Sequence, residues 1–145
     1  MSTRSRIGFE TASGAVTHIY CHFDGYIEGV GLALIEDHND VNKAHSLVSG
    51  GACRSILNRV ENGPRQVQRF SPTEGPGLEA KWSKNRKTYK QDGAEWYEEY
   101  QYLWDSRKAC WLWRRTSSNE NWKRLDTAVR NIKPQENRCH FPKRC

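Results

Sequence analysis

Nothing in this chain of 145 residues approaches the ~18 consecutive apolar positions of a membrane-spanning helix. Met1-Ser-Thr-Arg-Ser-Arg6 leads into no apolar run of signal-peptide length, so no targeting or membrane segment is expected. Catalytic signatures are missing too. There is no GxSxG, no HExxH and no carboxylate pair with a positioned acid and base. The cysteines number five, Cys21, Cys53, Cys110, Cys139 and Cys145, and no two have CxxC spacing. An odd count without a secretion signal argues against a disulfide framework and for reduced thiols in a cytoplasm, with Cys139 and Cys145 able to pair in an oxidised sample. Apolar residues make up only 36% of the chain and mean hydropathy is −0.92. Six Trp and six Tyr fill part of that gap, since each aromatic side chain buries ~150–250 Å². A small aromatic core in a single domain is expected.

The periodicity is legible in places. Arg6–Glu10 reads as a strand, 12–15 as a turn with Gly14 free to take positive φ, and Val16–Phe23 as a second strand by strict alternation. Ile19, Cys21 and Phe23 share one face, and His18, Tyr20 and His22 the other. Helices follow over 32–38 and 40–48, the latter with Val41, Ala44, Leu47 and Val48 on one side and Gly50 and Gly51 beyond its end. Cys53–Leu57 fits a helical turn or a strand. A Gly- and Pro-bearing loop spans 62–76, with a short strand at Gln66–Phe70. Residues 81–92 read as basic polar surface. Aromatic runs on either side of Asp105–Lys108 predict a second hairpin, 98–104 with 109–115, with a helix over 94–104 as the competing reading. A last helix, capped from 117–121, carries Trp122, Leu125, Ala128, Val129 and Ile132 on one face and stops at Pro134. The expected fold is α+β: an antiparallel sheet from the two hairpins, packed with two to three helices over residues 1–133, and a basic tail at 134–145.

Charge is unevenly placed. Residues 1–113 hold 14 basic and 14 acidic side chains, whereas residues 114–145 hold nine basic and three acidic, which accounts for the net +6. An anionic partner at one end of the molecule would match that asymmetry. Tyr97, Tyr100, Tyr102, Trp104, Trp111 and Trp113 interleave with Arg107, Lys108, Arg114 and Arg115. Lys123, Arg124, Arg130, Lys133, Arg138, Lys143 and Arg144 extend the basic end. Exposed rings beside cations suit protein hot spots and nucleic-acid stacking alike. Tyr100, Tyr102, Trp104, Arg107, Lys108, Trp111, Trp113, Arg114, Arg115, Lys123, Arg124 and Arg130 are therefore the expected contact surface. A secondary site is His18, Tyr20, His22, Asp24 and Tyr26. Two imidazoles on one strand face suit Zn²⁺ or acid–base work, but a third ligand is not apparent, and no metal or cofactor is expected. Asp24-Gly-Tyr26 and Gly29-Val-Gly31 lead into a helix, where backbone N–H groups suit phosphate. The spacing is neither GxGxxG nor a P-loop.

Ser5-Arg-Ile-Gly-Phe-Glu10, Ile19-Tyr-Cys-His-Phe-Asp-Gly-Tyr26 and Glu28-Gly-Val-Gly31 together resemble a group of small accessory proteins of tailed phages and prophages, most without an assigned function. Glu99–Leu103 and Trp111-Leu-Trp113 are similar as well. Phe23 replaces a Trp and Ile27 a Pro, and the basic region after 113 departs from the pattern. The resemblance implies a phage origin more than an activity. Small phage accessory proteins of this kind commonly inactivate host defences, and with no catalytic motif the expectation is a non-enzymatic protein of the host cytoplasm that inhibits an anti-phage defence factor by occluding it. Its partner would be a host defence protein or ribonucleoprotein complex. The alternatives are a protein that binds or sequesters nucleic acid or cyclic nucleotides, and a small metal-dependent enzyme using His18 and His22.

Overall fold

A computed structural model describes residues 2–59, 63–71 and 73–140, the last eight for their backbone. Two hairpins form where alternation and turn chemistry demand them. β1 (Ser5–Glu10) and β2 (Val16–Cys21) pair antiparallel around the turn containing Gly14, at φ 94. β6 (Tyr100–Asp105) and β7 (Cys110–Arg115) do the same. There Asp105 Oδ1 accepts from the backbone N–H groups of Arg107 and Lys108 at 2.9 and 3.0 Å, an Asx turn that closes the loop.

The hairpins are joined by parallel pairing of β1 with β6, Ser5 opposite Tyr100 through Phe9 opposite Trp104. β3 (Cys53–Arg59) lies beyond β2, touching it in parallel at Cys21↔Cys53, and β4 (Arg65–Arg69) forms the far edge. β5 (Lys81–Ser83) pairs with Val16–His18 of β2, and β8 (Lys123–Arg124) with β7. The result is an eight-stranded mixed sheet in an α+β fold, mostly antiparallel, as the two predicted hairpins required. The parallel joint is a feature that local patterning does not reveal.

One face of the sheet packs against a π-type turn (Ile27–Gly31) and three helices: α1 (Leu32–Asp37), α2 (Val41–Ser49) and α4 (Leu125–His140). Asp40 caps α2, accepting from Lys43 N at 2.8 Å. Ile7, Phe9, Ile19, Tyr102, Trp104 and Trp111 meet Val30, Leu34, Leu47, Leu125 and Val129 here. The other face is covered by α3 (Arg86–Asp92), whose Asn85 cap accepts from Thr88 N. The fully buried Tyr89 packs on Val16, Leu103 and Leu112 with Trp122 stacked beside it.

Three expectations change and one open reading closes. Residues 81–92 are not plain surface: they form β5 and α3, whose Ser83 and Tyr89 turn inward and are buried on the second face. The open reading of 53–57 closes as a strand, Cys53–Arg59, and the short strand expected at Gln66–Phe70 forms as Arg65–Arg69. Trp122 precedes the last helix and joins the opposite layer from Leu125 and Val129. The backbone of α4 continues through Pro134 to His140, although an interior proline removes a hydrogen bond and crowds the preceding turn. Residues 141–145 of the expected tail lie outside the described residues.

The tryptophans thus divide sharply, with Trp104 1% and Trp82 66% exposed. Trp104→Ala should cost ~3–5 kcal/mol by cavity formation, whereas Trp82→Ala should stay within ~0.5 kcal/mol, both read by urea denaturation.

Candidate binding surface

Because β1 and β6 run parallel, both hairpin turns fall at one end of the sheet and the free strand ends at the other. At this open end the register lines up Cys53, Cys21, Ser5, Tyr100 and Arg115, so the segments entering and leaving those strands share a rim. Gly25 N–H donates to Thr3 O, Phe23 N–H to Arg54 O and Glu99 N–H to Arg4 O, at 2.8–2.9 Å.

Two aromatic groups occupy this rim. In one, Tyr20 meets Trp96 edge-on at 4.9 Å and His22 meets Phe23 at 4.5 Å, with Phe70 beside both Tyr20 and His22. The Arg54 guanidinium lies 4.5 Å from the Phe70 ring. In the other, Tyr100 and Trp113 lie 6.3 Å apart. Arg115 stands over Tyr100, donating to its hydroxyl at 3.0 Å, and Lys123 stands over Trp113.

Between them Tyr97 projects into solvent, 82% exposed, with its backbone at φ 64. The left-handed region costs a bulky L-residue ~1–2 kcal/mol, and the flanking residues hold it there. Trp96 N–H donates to Glu98 Oε1, Trp96 O accepts from Arg4 Nη1, and Glu98 is itself bound by Arg6 Nη1 at 3.2 Å. Phe23 adds a ring that is 43% exposed, and Tyr26, donating to Asp24 Oδ1, one that is 37% exposed.

The sequence-derived surface is therefore only partly assembled. Tyr102, Trp104 and Trp111 are core residues, because alternation turns them toward α1, α2 and α4. Arg114 is buried on the opposite face, donating to Gln101 Oε1 and Ser118 O at 2.6 Å. Arg107 and Lys108 are exposed, but at the turn end, the length of β6 (roughly 17 Å) from Tyr100. Arg124 pairs with Asp126, and Arg130 is exposed on α4. Lys133 and Arg138 lie outside the described side chains, and Lys143 and Arg144 outside the described residues. Tyr100, Trp113, Arg115 and Lys123 remain as one contiguous, partly exposed group. Sequence reasoning passed over Arg4, Arg54, Phe70 and Trp96, which no local pattern connects, and left Tyr97 out of the expected surface.

The secondary site also changes. His18 and Tyr20 do not face solvent, because β5, Trp96 and Phe70 cover them. His18 is fully buried and accepts from Arg6 Nε at Nδ1, 2.9 Å. A guanidinium always donates, so the ring is the Nε2–H tautomer and donates to Ser83 Oγ at 2.8 Å. Ser83 donates in turn to Asp92. With its proton on the serine side, His18 is no base for Ser83, which is itself 1% exposed. His22 instead bonds the Tyr20 hydroxyl at 2.7 Å. No group of three His, Cys, Asp or Glu among the described residues is arranged to hold a metal ion. Burial pushes the Cys21 and Cys53 thiols upward, so neither is an activated nucleophile.

Burial, then the Arg6 charge, pushes His18 down to about 3 from 6.5. Unfolding restores the ordinary value, so the unfolded chain takes up a proton that the fold refuses. The stability this group contributes is complete above pH ~6.5 and falls as pH drops toward 3, at up to ~1.4 kcal/mol per pH unit. His18→Gln should show a shallower loss between pH 7 and 5 in urea titrations, with the lowered His22 and His38 accounting for the slope that remains. Comparison with known proteins finds no matching family model, no matching curated protein and no matching solved structure.

Proposed function

We propose that this is a non-enzymatic, phage-encoded binding protein that inhibits a host defence factor by occlusion in the host cytoplasm, and that the open rim is its contact surface. The phage origin rests on the resemblance of Ser5–Gly31. The binding role rests on one observation above all: Tyr97 is held out in solvent, in a backbone conformation that tyrosine disfavours, by hydrogen bonds on both sides. Strain maintained at an exposed aromatic residue is expected where the side chain is used, and rigid aromatic anchors keep the entropy cost of binding low.

The charge on the rim favours a protein partner over nucleic acid. Arg4, Arg54, Arg115 and Lys123 are matched by Asp24, Glu74, Glu99 and Glu120, with Arg54 paired with Glu74 and Lys123 with Glu120. A neutral surface of Tyr, Trp, Phe and Arg has the make-up of protein interface cores and lacks the excess positive charge that phosphates require. No helix among the described residues is long and apolar enough to cross a membrane.

Affinity capture from host lysate, quantified by mass spectrometry, tests the reading. Tyr97→Ala combined with Phe23→Ala should weaken retention of the captured host protein by about 30-fold, the ~2 kcal/mol of a hot spot. Tyr97→Gly should do much the same while leaving stability unchanged or raising it by up to ~1 kcal/mol. Undiminished capture by these folded variants would remove the rim from consideration. Arg115→Glu is a suitable second probe, whereas Arg114→Glu would bury an unpaired charge and unfold the protein.

A further inference from the structure

The turn end of the sheet has the opposite chemistry from the rim. Segment 81–92 holds five basic residues and one acid. Of the acids nearby, Glu10 and Asp105 share the single cation Arg86, at 2.5 and 2.9 Å, which leaves one negative charge at this end against four exposed cations, and Asp92 accepts from Ser83. Arg86 thereby fastens α3 to both hairpin turns and brings Lys84 and Lys87 to the same end as Arg107 and Lys108. None of these four has a carboxylate partner among the described residues, and all four are exposed. A pocket of about 350 Å³ opens between the turns, lined by Glu10, Thr11, Arg86, Asp105, Arg107 and Lys108 among others. Alternation along β5 sends Ser83 inward to His18 and leaves Trp82 on the other side, 66% exposed, opposite Thr17. By register Trp82, Thr17, Phe9 and Trp104 form one row close to the turns, and Lys84 follows Trp82 by two residues. An exposed indole and exposed cations thus share this end of the sheet, the pairing of features that holds a base by its face and a backbone by its phosphates.

We infer that the turn end, through Trp82, Lys84, Lys87, Arg107 and Lys108, binds single-stranded nucleic acid. A single strand is favoured over a duplex because Trp82 needs an unstacked base. The surface is separate from the rim, so the inference stands whether or not the rim binds a protein.

Fluorescence anisotropy of a labelled single-stranded oligonucleotide, titrated with the full chain at several salt concentrations, is the test. Binding should weaken steeply with salt. Lys84→Glu with Lys87→Glu should lower the slope of log K against log salt by about 1.4, two phosphate contacts at ~0.7 each. Trp82→Ala should weaken binding about fivefold or more while leaving that slope unchanged. Lys43→Glu with Arg59→Glu, an equal charge change on α2 and β3, should leave the site intact and weaken binding much less. Circular dichroism confirms that each variant is folded. Absence of binding at low salt would overturn the proposal. So would equal affinity for duplex and single strand, or equal losses from the two charge-reversal pairs, which would mean attraction to net charge alone.

Discussion

The parallel pairing of β1 with β6 is the joint on which this molecule depends. It brings together residues some 95 positions apart, such as Ser5 and Tyr100, so closing that long loop costs chain entropy that the contacts must offset. Side chains on both faces offset that cost. Ile7 beside Tyr102 and Phe9 beside Trp104 seal one side, and Arg6, anchored to Glu98, holds the other. The direction of the pairing matters as much as its strength. Had the second hairpin joined antiparallel, its turn would lie beside the free ends of the first, and aromatic rim and basic turns would be intermixed.

Burial on both faces explains why so many functional-looking residues are structural. A chain with few aliphatics fills its interior with rings and with polar groups that satisfy one another. Tyr89 donates to Tyr102 O, Tyr102 to Gly25 O and Trp111 to His38 O, each ring tying its layer to a neighbour through a polar tip. The chain Asp92–Ser83–His18–Arg6–Glu98 does the same beneath α3. Such a network is costly if any member is lost, because the remaining partners stay buried and unsatisfied. Its histidine is neutral and enclosed, which suits a structural hub and not an acid–base group.

What remains outside is divided by the topology into a neutral aromatic rim and a basic turn end. The first has the composition of a protein contact and the second that of a nucleic-acid contact. On the reading proposed here, a target containing both protein and a single strand would engage the two ends together, and the linkage would raise the combined affinity well above either alone.

The sequence by itself determined the two hairpins, the α+β class, the alternation of β2 and the buried Ala44, Leu47 and Val48 of α2, though not Val41, which is half exposed, because period-two and period-3.6 patterns are local properties of the chain. It also showed that aromatic rings and cations are the residues from which contacts are made. Which rings face outward was decided by tertiary structure alone. Trp104 and Trp113 look alike along the chain, yet one lies beneath helices and the other, only partly covered, under Lys123 of the edge strand β8. Tyr97 is an ordinary residue of an aromatic run until Arg4 and Glu98, distant in sequence or placed by a distant partner, fix its backbone. Segment 81–92 reads as solvated surface until a sheet with a second face to cover gives Tyr89 and Ser83 somewhere to go. Exposure is a property of what packs against a residue, and that depends on which strands the folded chain brings side by side.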